Sequence, residues 1–153
     1  MAKEELRFMK PLDQIQPVTG TVPNEQLKAG TAPKTAIKLD PTPIVGTWLN
    51  ADKATRGIVK VILTEKAGEL FVHPFGACSP TPCDWKEVKG AAFSDNVSNH
   101  LGLSFTAQFD FGFSSVSLNG ELYDGALFLE TFTIFKDNSG RFNYRNSEIM
   151  YRS

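Results

Sequence analysis

Between residues 44 and 152 the chain is built of short apolar runs broken by turn residues. The clearest is 101–113, where Leu101, Leu103, Phe105, Ala107, Phe109, Phe111 and Phe113 alternate with Gly102, Ser104, Thr106, Gln108, Asp110 and Gly112. A period of two puts every apolar residue on one face of a strand, whereas a helix would spread the phenylalanines around its circumference. Gly112 is expected to mark a bend where the direction reverses. Runs of the same kind occupy 44–50, 57–64, 69–75, 85–93, 114–122, 126–136 and 141–152. Lys66-Ala67-Gly68, Tyr123-Asp124-Gly125 and Asp137-Asn138-Ser139-Gly140 join three pairs of them, with glycine where a tight hairpin needs a positive φ. No amphipathic stretch of roughly 10–12 residues suited to a helix lies between the runs, which argues against βαβ units.

Strands in this number with short connections predict an all-β fold: an antiparallel up-and-down β-barrel of about eight strands, spanning residues 44–153. Both faces are apolar in places, as at Leu127-Phe128-Leu129. A barrel accommodates this if one face lines the interior and the other packs on a second surface; a β-sandwich is the rival. Residues 1–43 differ, holding Pro11, Pro17, Pro23, Pro33, Pro41 and Pro43, six of the nine prolines. Proline fixes φ and removes a backbone donor, so this segment can form neither a long helix nor a central strand. It reads as an extended N-terminal arm, with one capped helical turn at 24–30 between Asn24 and Gly30. Leu6, Phe8, Met9, Leu12 and Ile15 give the arm an apolar face. That face suits docking over the barrel opening or pairing with a neighbouring subunit, so a homo-oligomer is a partner class to consider.

Composition acts mainly by exclusion. A net charge of -1 in 153 residues supplies no excess of Lys and Arg for a nucleic-acid backbone. No apolar run approaches the ~20 residues of a membrane-spanning helix. MAKEELRFMK at the start lacks the continuous apolar region of a signal peptide, so a cytoplasmic location is expected. Aromatic usage is lopsided, with twelve Phe against two Trp and three Tyr; phenylalanine gives bulk without a polar handle, as a packed core or an apolar cavity requires.

Ile44-Val45-Gly46-Thr47-Trp48-Leu49-Asn50, placed on the first strand of a meander, resembles the opening of calycin barrels, the lipocalins and more closely the avidin-like proteins. The resemblance covers about seven residues and implies a barrel whose closed end is plugged by the Gly-x-Trp pair. Gly46 would let the chain pass closely while Trp48 fills the base of a tapering core. It also implies that Asn50 contacts a ligand. With only Trp48 and Trp85, and Ala51-Asp52-Lys53-Ala54-Thr55-Arg56-Gly57 in place of a short Gly-Ser turn, the chain departs from the avidin-like biotin site.

Candidate chemistry falls in two groups. His73, Cys78, Cys83 and Asp84 surround the Pro-rich loop at 76–85. They are atom types that bind zinc, but the spacing is unusual and the cysteines are better suited to a disulfide or to packing, so no metal is expected. Trp85 ends this stiffened loop, and loops on a rigid barrel are where binding function concentrates. The second group comprises Arg56, Glu130, Arg141, Tyr144, Arg145 and Glu148. A mid-strand carboxylate pointing inward without a partner is costly, so Glu130 is expected either to pair with Arg145 or Arg56 inside the barrel or, by preference, to face water outside it.

No nucleophile elbow, phosphate loop or HExxH motif is present, and His73 and His100 are too far apart for a triad. The first expectation is therefore a barrel binding a small apolar or mixed-polarity molecule, without a cofactor. Its ligand-contacting residues would be Trp48, Asn50, Arg56, His73, Trp85, Phe105, Phe109, Glu130, Phe132 and Tyr144. The alternatives are a cofactor-independent isomerase or cyclase using Glu130, Tyr144 or His73 as acid or base, and an interaction module with a solid core. A cavity of roughly 300 Å³ or more separates the last from the others.

Overall fold

The structure, a computed structural model, describes residues 38–153. The helical turn expected at 24–30 and the apolar residues Leu6 to Ile15 lie outside the described residues. Ten strands make one antiparallel sheet: β1 (Gly46–Asn50), β2 (Ile58–Lys66), β3 (Glu69–Gly76), β4 (Cys83–Asp84), β5 (Val88–Lys89), β6 (Ala91–Phe93), β7 (Ser104–Asp110), β8 (Ser114–Tyr123), β9 (Ala126–Phe135) and β10 (Tyr144–Arg152). No helix occurs among the described residues, and none there is long and apolar enough to cross a membrane. The spatial order is β4-β3-β2-β1-β10-β9-β8-β7-β6, with β5 paired to β3 off this path.

Two tight hairpins fix much of the register. Ala67-Gly68 links β2 to β3 with φ of 53° and 80°, and Asp124-Gly125 links β8 to β9 with φ of 50° and 77°. Two successive positive-φ residues give the turn whose twist matches that of the flanking strands. The pairing then runs unbroken along β8 and β9, from Tyr123 opposite Ala126 to Ser114 opposite Phe135.

The expectation of about eight strands in a closed ring is met only in part, as one antiparallel all-β sheet of ten strands. The sheet ends on β4 and β6 rather than closing by strand order, and the run at 85–93 is not one strand. It divides around Gly90: Val88 and Lys89 pair with Val72 and Phe71 of β3, whereas Ala91 to Phe93 pair with Thr106 to Ser104 of β7. Gly90 donates its N–H to Leu70 O at 2.9 Å, and a Cβ there would lie 2.9 Å from Val72 Cγ2 and 3.0 Å from Thr106 O. The segment changes partner at Gly90 because no side chain fits between the two strands. The run at 101–113 is likewise shorter as a strand, Ser104–Asp110, with Gly112 at φ 80° in the turn to β8.

The core is gathered on the inner face towards the two-residue hairpins, here called the hairpin end. Ile44, Trp48, Val61, Leu63, Val72, Leu118, Leu127 and Met150 are wholly buried there, with Phe105 beside them. Burying each aliphatic side chain stabilises the fold by about 1.5–3 kcal/mol relative to exposure. Trp48 donates its indole N–H to Ile44 O at 2.9 Å, and the Arg152 guanidinium lies 4.2 Å over its ring. Arg152 also donates to Pro43 O at 2.8 Å and to Val45 O. Part of the expected arm belongs to this end: Asp40 N donates to His100 O at 2.8 Å and Gly102 N to Asp40 O at 2.8 Å.

Candidate functional site

Along the sheet's inner face, side chains change from apolar at the hairpin end to polar at the other. On β9 the inward residues are Leu127 and Leu129, then Thr131 and Thr133. On β10 they are Met150, then Glu148 and Asn146. On β8 they are Leu118 and Val116, then Ser114. The polar end opens into a cavity of about 510 Å³, lined by Ile58, Trp85, Phe111, Ser114, Val116, Thr131, Thr133, Tyr144, Asn146 and Glu148, with Arg56 and Arg141 also in its wall. The connections at this end are 51–57, 77–82, 111–113 and 136–143.

Three hydroxyls distinguish the cavity. Ser114, Thr131 and Thr133 are 2%, 8% and 7% exposed, and none of them forms a side-chain hydrogen bond with the described residues. Their oxygens are not sealed in, since Thr64 Oγ1 alone is a fully buried side-chain atom without a partner among the described residues; they open onto the cavity, and a molecule that covered one without pairing it would cost about 1–3 kcal/mol.

Glu148 lies beside them and is fully occupied. Its carboxylate accepts from Thr55 Oγ1 at 2.9 Å, Ile58 N at 2.8 Å, Asn146 Nδ2 at 2.9 Å and Asn50 Nδ2. Four donors match the roughly four lone-pair sites of an ionised carboxylate. Gly57 permits this approach, since a Cβ at that position would overlap the Glu148 carboxylate. The network ties the 51–57 connection to β10 across β1.

On the other side stands Trp85, half-buried, edge-on to Phe109 and Phe111 with ring centroids 5.4 and 5.2 Å away. Three constraints set its position. Cys78 and Cys83 form a disulfide with Cα atoms 5.4 Å apart. The backbone at Cys83 and Asp84 pairs with Gly76 and Phe75 of β3, and Trp85 N donates to Pro74 O at 3.1 Å. Asp84 bonds His73 Nε2 at 2.6 Å and accepts from Lys86 N at 2.8 Å. The bond from His73, with that from Lys86 N, holds the Asp84 carboxyl down to about 2.

Of the residues expected to meet a ligand, Arg56, Trp85 and Tyr144 line the cavity. Phe109 supports Trp85 from the core, and Asn50 acts through Glu148. Trp48 and Phe105 are buried in the core and do not line it. His73, Glu130 and Phe132 occupy the opposite phase of their strands and face outward: His73 stacks on Phe75 at 4.5 Å, Glu130 pairs with Arg145 at 2.8 Å, and Phe132 is 42% exposed. Arg145 holds the Glu130 carboxyl below its usual range. The Glu130 pair therefore lies outside, as preferred, and the inward pairing with Arg56 is not made. Among the described residues no three His, Cys, Asp or Glu side chains are grouped to hold a metal ion.

The expected set omitted Ser114, Thr131, Thr133, Asn146 and Glu148. Phase was the only available signal: taking Leu127 and Leu129 as inward makes Thr131 and Thr133 inward too, whereas choosing Phe132 selects the other face. A broader groove, about 1440 Å³, includes Glu121, Phe128, Glu130 and Arg145 of the outer face. Its polar groups are largely satisfied within the protein, by Glu130 with Arg145 and by Thr106 Oγ1 with Asn119 at 2.7 Å, so the smaller cavity is the better site. No protein-family model, curated protein or solved structure matches the chain.

Proposed function

We propose that the protein is a small-molecule-binding β-barrel of the calycin type, whose ligand occupies the cavity beside Trp85. In this reading residues 88–93 serve as the eighth stave, joining β3 to β7 and bringing the sheet full circle. The carrying observation is the set of three hydroxyls on otherwise buried residues, Ser114, Thr131 and Thr133, which have no partner among the described residues and open onto a cavity of about 510 Å³. Such a volume falls in the range of small-ligand pockets, which favours binding over a solid-core interaction module. The aromatic wall opposite gives a ligand apolar contact, and the hydroxyls give it orientation.

Proton-transfer chemistry has less support. His73 and Glu130 face outward; Tyr144, the third acid–base candidate, does line the cavity, but Glu148, the carboxylate in the same wall, already accepts four hydrogen bonds. A carboxylate so occupied has no free lone pair aimed at a substrate proton.

The test is native mass spectrometry of the full chain purified from its own host, beside a Val116→Trp variant that fills the cavity and a Thr133→Val variant that keeps the shape and removes a hydroxyl. The expected result is a copurifying small molecule, lost in Val116→Trp and diminished in Thr133→Val while both retain the strand-rich circular dichroism spectrum. If the same mass persists undiminished in both variants, or if the native protein carries none and a metabolite library gives no cavity-dependent thermal shift, the binding role is refuted.

A further inference from the structure

Charge around the cavity points to what the ligand carries. Four charged side chains contribute to its wall: Arg56, Asp84, Arg141 and Glu148. Three have partners. Asp84 is held by His73 and Lys86; Arg141 is paired with Asp137 at 2.9 Å and lies 4.2 Å over the Phe135 ring; Glu148 is enclosed by four donors. Arg56 alone has neither an ion pair nor a side-chain hydrogen bond among the described residues.

Resting on the binding role above, we propose that the ligand is a small ring-containing organic acid. Its ring sits between Trp85 and the hydroxyl wall, and its carboxylate meets Arg56. The guanidinium offers a planar fork that matches a carboxylate through two parallel bonds. Ser114, Thr131 and Thr133 can each donate or accept, so they suit hydroxyl, keto or ring-nitrogen groups on the ring's inner edge.

Two other ligand classes fit less well. A plain alkyl chain would cover the three hydroxyls without pairing them, which their lost hydration opposes. An organic cation would meet Arg56, and the ring faces that could stabilise it are partly taken, since Arg141 already lies over Phe113 and Phe135.

The experiment is isothermal titration calorimetry of the full chain with matched pairs, 4-hydroxyphenylacetate and indole-3-acetate against their primary amides, repeated on Arg56→Gln and Arg56→Lys. The expected outcome is that the acids bind at least tenfold more tightly than the amides. Arg56→Gln should bring that ratio close to one by weakening the acids far more than the amides, and Arg56→Lys should restore part of it. Equal affinity of acid and amide, or a ratio untouched by Arg56→Gln, overturns the acid proposal and leaves the cavity's binding role standing. The proposal also falls if neither class binds while a copurifying molecule is still displaced by Val116→Trp. If neither class binds and Val116→Trp changes nothing, both readings fail together.

Discussion

At the scale of single residues, Glu148 links strand and loop more than any other group described. Because all four of its hydrogen bonds come from donors, Glu148→Gln places an amide NH₂ against at least one of them. Hydrogen bonds to a charged group are worth about 1.5–3 kcal/mol, so this nearly isosteric change is expected to lower stability by about 2 kcal/mol in urea titration. Gly57→Ala should act on the same contact by pushing the carboxylate away. Little of this was legible in the sequence. A glutamate in mid-strand signals either an outer-face residue or a satisfied inner one, and Glu130 and Glu148 look alike until the phase of each strand is known. Glu148 faces in and Glu130 faces out because Met150 and Leu129 respectively take the inward positions next along their strands.

At the scale of elements, the connection carrying Trp85 is short and held by a covalent bond. Closing a loop of this length restricts the unfolded chain by about 2 kcal/mol. A Cys78→Ser, Cys83→Ser double variant is therefore expected to unfold at lower urea by that amount, with a red-shifted Trp85 emission as the indole leaves Phe109 and Phe111. Gly90 carries a different load. Any larger residue must displace Val72 or the Thr106 carbonyl, so Gly90→Val is expected to cost about 1–3 kcal/mol through overpacking and to accelerate amide hydrogen exchange in β3 and β7 together. Alternation and turn glycines sufficed to place β2, β3, β8 and β9 nearly at their observed limits. The 85–93 run defeated them because its partner changes at Gly90, and pattern along one strand carries no information about which neighbour it meets.

At the scale of the whole molecule, six carboxylates among the described residues are held below their usual ionisation range: Asp40, Glu69, Asp84, Asp110, Glu130 and Asp137. A depressed folded-state value adds stability above the unfolded value, near 4, and the gain disappears as pH falls through the folded one. Stability is therefore expected to be level above about pH 5 and to decline below about pH 4. All six groups are solvent-exposed, so each contribution is small. Asp84 should be the last of these ties to break, with a carboxyl carbon-13 NMR midpoint at about 2; a midpoint at the ordinary aspartate value would contradict the His73 contact. The hairpin end has a practical consequence at this scale. Ser153 N is bonded to Thr47 O at 2.9 Å and Lys38 pairs with Glu69 beside the β2–β3 turn, so both ends of the described chain leave from the side opposite the cavity. A protein immobilised through Ser153 should hold the cavity towards bulk solution, and ligand capacity on a sensor surface should match that of the free protein.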